Sequence, residues 1–177
     1  MTLETPPGAP VIALAGNPNA GKSTLFNALT GLHQHTGNWP GKTVEKREGL
    51  FKRGSVTLRI IDLPGAYSLS AFTPEEIITR DFILNAAPSA VVNVLDATNL
   101  ERNLYFTVQL LELGVPVLLA LNMVDELPGQ GLRVDVKGLA QQLGVPVVAL
   151  SARSGDGLDG FVTELLKLAA LPAGGQA

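Results

Sequence analysis

Cysteine is absent from the 177 residues, which removes disulfides and thiolate metal sites and suits a reducing compartment. Charge is sparse as well, with 13 Lys and Arg against 16 Asp and Glu for a formal charge of −3. The basic residues are scattered, so no electrostatic footprint for a nucleic-acid backbone is visible, and nucleic acid is not the expected partner. Long hydrophobic runs are missing. The longest, from Val115 to Val124, contains Pro116 and Asn122 and falls short of the roughly 20 residues that cross a bilayer, so the chain is expected not to span a membrane. No basic and then apolar leader is present: MTLETPPGAP is polar and proline-rich, and residues 1–10 read as a loose tail. Aromatic residues make up 5%, yet 46% of the chain is hydrophobic, enough for one domain with a substantial core.

The aliphatic residues carry the pattern. VIALA (Val11 to Ala15) breaks at Gly16, and helical spacing then runs from Ser23 to Gly31. Residues 32–43 hold Gly37, Pro40 and Gly41 without periodicity and read as a loop. Two strands follow, Val44 to Phe51 and Val56 to Asp62, turning near Gly54 so that one is antiparallel. Pro74 opens a helix with Glu75 and Glu76 in its first turn, expected to reach about Asn85. Strands at Ala90 to Leu95, Val115 to Asn122 and Val145 to Leu150 then alternate with helices at Leu100 to Leu113, Val136 to Leu143 and Leu158 to Leu168. Runs of Val, Leu and Ala without polar alternation are what parallel strands look like when helices cover both faces. The expected class is therefore α/β, doubly wound. LGVP occurs at Leu113 to Pro116 and at Leu143 to Pro146, which a helix-ending glycine followed by a strand produces without duplication. Residues 171–177 read as a linker or an artificial end.

Gly16-Asn17-Pro18-Asn19-Ala20-Gly21-Lys22-Ser23 matches G-x-x-x-x-G-K-[ST] and sits between a predicted strand and a predicted helix. Glycines let backbone curl around phosphates, successive N–H groups and the helix N-terminus face the anion, Lys22 adds a charge, and Ser23 offers a hydroxyl to Mg²⁺. The phosphate-binding set is read as Gly16 through Thr24. Asp62-Leu63-Pro64-Gly65 closes a strand where such a protein needs a carboxylate for Mg²⁺ and a glycine N–H for the γ-phosphate. Asn122-Met123-Val124-Asp125 ends a strand at the ligand-binding edge of the sheet. An Asp125 carboxylate accepts two hydrogen bonds from guanine N1–H and its 2-amino group, whereas adenine leaves it unpaired. Ser151-Ala152-Arg153 follows the last strand, where backbone N–H groups can meet guanine O6; alone, that tripeptide carries little information.

These four motifs, in this order and spacing, resemble those of translation-factor-related small GTPases. Within that group, GNPNAGKSTLFNALTG, GNWPGKTVEKREG, DLPGAYSLS and LNMVDE are similar to the N-terminal G domain of the ferrous iron transporter B (FeoB) family. The resemblance implies a Ras-like P-loop GTPase fold over residues 11–170, with a mostly parallel six-stranded sheet, one antiparallel edge strand and helices on both faces. It implies GTP and GDP as ligands, with Lys22, Asn19, Thr43 and Gly65 as the catalytic set. Ser23, Thr43 and Asp62 would hold Mg²⁺, while Asn19 with the carbonyls of Gly37 and Trp39 would hold K⁺. From the residues alone, Thr43 is a loop residue and Asn19 a turn residue tolerant of positive φ. Ala66 stands where Ras-like enzymes place a water-orienting glutamine, so slow hydrolysis is expected. Met123 departs from the commoner N-K-x-D form, implying looser binding and quick GDP release. Trp39 is open to two readings, an exposed reporter of nucleotide state or local packing. His33 and His35 lack an acid or cysteine cluster and are assigned no metal.

The family further implies a membrane-embedded iron transport region as partner and a location on the cytoplasmic face of the inner membrane. Two rivals stand beside the regulatory GTPase: a ribosome-assembly GTPase, to be recognised by RNA binding that survives moderate salt, and a nucleotide-gated module with negligible turnover.

Overall fold

The computed structural model describes residues 8–170, so most of the expected N-terminal tail and all of 171–177 lie outside the described residues. Seven strands form one sheet in the order β2-β3-β4-β1-β5-β6-β7. They are β1 (Val11–Ala15), β2 (Gln34–Asn38), β3 (Glu45–Arg53), β4 (Val56–Asp62), β5 (Ala90–Asp96), β6 (Val117–Asn122) and β7 (Val147–Ala149). The helices are α1 (Lys22–Thr30), α2 (Pro74–Ala86), α3 (Leu100–Glu112), α4 (Val136–Leu143) and α5 (Leu158–Ala169). The expected α/β class and all five helices are present. The strand count is seven rather than six, and the antiparallel strand is not at the edge. β3 runs against both β4 and β2, and β2 lies outside it in the segment expected to be a loop. QHTGN has no apolar alternation because four of its five residues are exposed, so the pattern that betrays buried strands was never there.

β1 pairs in parallel with β4 and β5, which places it at the centre of the sheet. Alternate residues of these strands feed two cores. Ile12, Leu14, Val92 and Val94 pack with Leu25 and Phe26 of α1 and Phe161 and Leu165 of α5 on one face. Ala13, Ala15, Val91 and Leu95 pack with Ile83 of α2 and Phe106 and Leu110 of α3 on the other. β5 is buried at every position but the last, as a strand covered on both faces must be. α2 starts sharply because Thr73 and Glu76 form a reciprocal capping box ahead of Pro74. The parallel strands therefore end together, and the loops that follow β1, β4, β6 and β7 meet along one edge.

Candidate functional site at the carboxyl edge of the sheet

The loop after β1 is shaped by close approach. Gly16 has φ +140°, and a Cβ there would collide with the carbonyl of Val94 on the neighbouring strand. Gly21 has φ +92°, and its missing Cβ leaves room for the Asn122 amide. α1 begins immediately after it with no side-chain cap and no acid in its first turn, so its leading N–H groups face the loop's concavity and are free for an anion.

Lys22 and Asp62 lie at the floor of this concavity, 8% and 7% exposed. Burial pushes the Lys22 ammonium below its ordinary value, and the Asp62 charge opposes that shift. Burial likewise pushes the Asp62 carboxyl up, against the pull of Lys22, the Ser23 hydrogen bond and Arg47. Each charge thus depends on the other; an anion would further favour the charged Lys22 and a cation the charged Asp62. Ser23 Oγ donates to Asp62 Oδ2 at 3.2 Å, while Asp62 Oδ1 is buried with no hydrogen-bond partner among the described residues. A hydroxyl and a carboxylate with one unspent oxygen are oxygen donors of the kind a hard dication takes, so the residues fit Mg²⁺.

The segment after β4 leans on the same loop. Ala66 N donates to Gly16 O at 3.1 Å, and a Cβ on Gly65 would sit 2.9 Å from Pro18 Cα. Ala66 is itself buried.

Asn122 stitches the far side. Its Nδ2 donates to Ala20 O at 3.0 Å and its Oδ1 accepts from Ala152 N at 2.9 Å. One buried side chain thereby joins the phosphate loop, the end of β6 and the loop after β7. Met123 follows in the left-handed region, φ 64°, and turns the chain so that Asp125 emerges exposed on a short 3₁₀ turn. Asp125 Oδ2 stands 3.5 Å from Arg153 Nη2, an exposed pair. Ser151 is buried, and its loop closes on itself through Gly155 N to Ser151 O at 2.9 Å.

Gly16 to Thr24, Asp62, Gly65, Asn122, Met123, Asp125 and Ser151 to Arg153 are therefore brought to one edge. Asn19 sits exposed with φ 64°, a backbone state that fits the turn reading and leaves its amide open. Thr43 is exposed and makes no side-chain hydrogen bond among the described residues. Gly37 lies within β2. Trp39 is half-buried and packs against the cluster under α2 and α3, the second of its two readings. One further participant, Arg47, and one unforeseen contact, that of the Arg153 side chain, escaped the sequence reading. Arg47 lies 4.0 Å from Asp62, and Arg153 reaches the Asp125 carboxylate. Neither carries a local signal, because each partner is far away in sequence.

Comparison with known proteins agrees with this geometry. A family profile described as "Ferrous iron transport protein B" matches residues 10–165. The Fe(2+) transporter FeoB of Salmonella typhimurium is 49% identical over 162 residues, 89% of this chain and 20% of its own length. The chain thus spans about a fifth of the curated relatives it matches. The FeoB G-domain from Methanococcus jannaschii superposes with a TM-score of 0.81 at 46% identity, over 91% of this chain and 97% of that one. A mutant S. thermophilus NFeoB bound to GDP gives a TM-score of 0.82 at 52% identity, over 91% of this chain and 61% of that one. With the profile covering nearly the whole described fold, the chain belongs to the ferrous iron transport protein B family, as a G domain with a Ras-like P-loop fold.

Proposed function

We propose that this domain binds GTP and GDP, hydrolyses GTP slowly, and serves as the nucleotide switch of a ferrous iron transporter at the cytoplasmic face of the inner membrane. The observation that carries the reading is the Asn122 bridge. It holds a phosphate cradle and a base-reading carboxylate in one rigid frame, so affinity for the triphosphate and choice of base are set together. The relative solved with GDP supports the choice of ligand.

In this reading the amides of residues 16–24 and the Lys22 ammonium hold the phosphates. Ser23 and Asp62 hold Mg²⁺, joined by Thr43 in the GTP state. Mg²⁺ supplies charge neutralisation at the phosphoryl oxygens. Gly65 N–H meets the γ-phosphate. Asp125 selects guanine, and backbone N–H groups at 151–153 meet O6. Asn19 and the carbonyls of Gly37 and Trp39 would hold K⁺, which would supply positive charge beside Lys22. Ala66 has no group to orient water, so turnover is slow. Ordering of 37–43 and 65–73 by GTP, and their release after hydrolysis, is the signal passed to the transport region.

Single-turnover hydrolysis in Mg²⁺ with K⁺ or Na⁺ tests the scheme. A faster rate in K⁺, lost in Asn19→Ala, is expected; equal rates in the two salts would remove the Asn19 role. Lys22→Ala should weaken GTP binding by at least about tenfold, since a charge-assisted hydrogen bond is worth about 1.5–3 kcal/mol. Full affinity in that variant would overturn the whole site.

A further inference from the structure

Phe82 belongs to none of the motifs above. It lies half-buried on α2, the helix that directly follows the 65–73 loop. Its ring meets the Trp39 indole edge to face, centroids 5.6 Å apart and planes at 75°. On the same indole, Lys46 Nζ stands 5.4 Å from the ring centroid. Around these contacts the 39–44 loop is closed by two hydrogen bonds, Trp39 N to Val44 O and Lys42 N to Trp39 O, each 3.0 Å. Behind it, Gly37 and Asn38 are paired with Lys46 and Glu45 in the sheet. Thr43 is left facing solvent.

The segment from 37 to 43 is thus not loose. It is held against α2, with the Trp39 carbonyl engaged by Lys42 and the Thr43 hydroxyl away from Ser23 and Asp62. Turning the Trp39 carbonyl to a cation would break its hydrogen bond from Lys42 N. We propose that Phe82 is a positioning residue: its ring anchors Trp39 and thereby biases the 37–43 segment toward the conformation that GTP must displace. The inference rests on the reading that this segment engages the triphosphate. A contact present in only one of two states opposes any ligand that selects the other by the free energy of that contact. GDP, which lacks the γ-phosphate that recruits Thr43, has no such stake. Removing the ring therefore changes the preference between nucleotides, not only the affinity.

The test compares wild type, Phe82→Ala and Phe82→Leu by calorimetry with GDP and with the β,γ-imido analogue of GTP, in Mg²⁺ and K⁺. Emission of Trp39, the single tryptophan, is followed in parallel. An edge-to-face aromatic contact corresponds to roughly a fivefold factor, so Phe82→Ala should bind the analogue about fivefold tighter, with GDP affinity within about twofold of wild type. Its nucleotide-free emission should move toward that of the analogue-saturated wild type. Phe82→Leu, which keeps apolar bulk but removes the ring, should shift the same way and carries the comparison if the alanine variant does not fold. Equal changes for both nucleotides, or unchanged analogue affinity with unchanged Trp39 emission, would overturn the proposal alone. A wild-type protein that binds neither nucleotide would instead overturn the site reading beneath it.

Discussion

Asn122 shows how much one side chain can decide. Its amide spans 102 positions of sequence to reach Ala20 and a further 30 to reach Ala152. Cutting it back leaves a buried carbonyl and a buried N–H unpaired, each at a cost of about 1–3 kcal/mol. Asn122→Ala should therefore lower unfolding free energy by about 2–4 kcal/mol, read from denaturant curves, and weaken GDP binding with it. A loss below half a kcal/mol would mean water satisfies both groups and the bridge is not structural. The position of Asn122 to Asp125 at the ligand-binding edge of the sheet was legible from the strand that leads into it. The bridge was not, because nothing local marks which distant carbonyl an asparagine will meet. The same holds for Arg153. Read alone the tripeptide 151–153 is mute, and only the fold puts its guanidinium beside Asp125.

The antiparallel strands carry their own electrostatics. Glu48 of β3 accepts from Arg59 of β4 and sits 3.1 Å from Lys46. The Arg59 hydrogen bond holds the Glu48 carboxyl below its ordinary value of 4.5. A carboxylate depressed in the folded chain adds stability that is complete above its unfolded value and is lost as pH falls through the folded one. Glu48→Gln should thus cost about 0.5–1 kcal/mol at neutral pH, the upper part of the range for solvent-screened pairs, since the pair is only half-buried, and the gap to wild type should close as pH drops below 4.5. A gap of the same size in acid would assign the loss to packing instead. Elements with buried faces were readable: β1 announces itself as an unbroken aliphatic run, β4 and β5 as aliphatic runs interrupted by Thr57, Arg59 and Asn93, and α2 by its proline and acids. β2 was not, since Gln34, His35, Thr36, Gly37 and Asn38 bury almost nothing and are ordered by main-chain pairing with β3.

Across the whole molecule, two cores flank a sheet whose loops converge on one edge, and a ligand there touches segments from both halves of the chain. Binding should therefore stabilise the fold as a unit. GDP at a hundred times its dissociation constant adds about 2.7 kcal/mol, a melting-point rise of roughly 5–10 °C for a domain of this size. ATP at the same concentration should leave the melting point unchanged, because adenine offers Asp125 no donor. A matching rise with ATP would sink the base assignment. The doubly wound plan was legible from alternation of strand and helix, while the strand order β2-β3-β4-β1 was beyond it, since register between distant strands leaves no trace in a single sequence.

The reversal of β3 has a kinetic side. β2, β3 and β4 form a meander of neighbouring strands closed by short turns, whereas β1 joins its partners only through long crossovers. Local pairings re-form faster than distant ones, and low-stability openings can occur without global unfolding. The 39–44 loop hangs from the quick half and the phosphate cradle from the slow half. On the switch reading proposed above, the 39–44 loop would open and re-form with the local meander while the phosphate cradle stays intact.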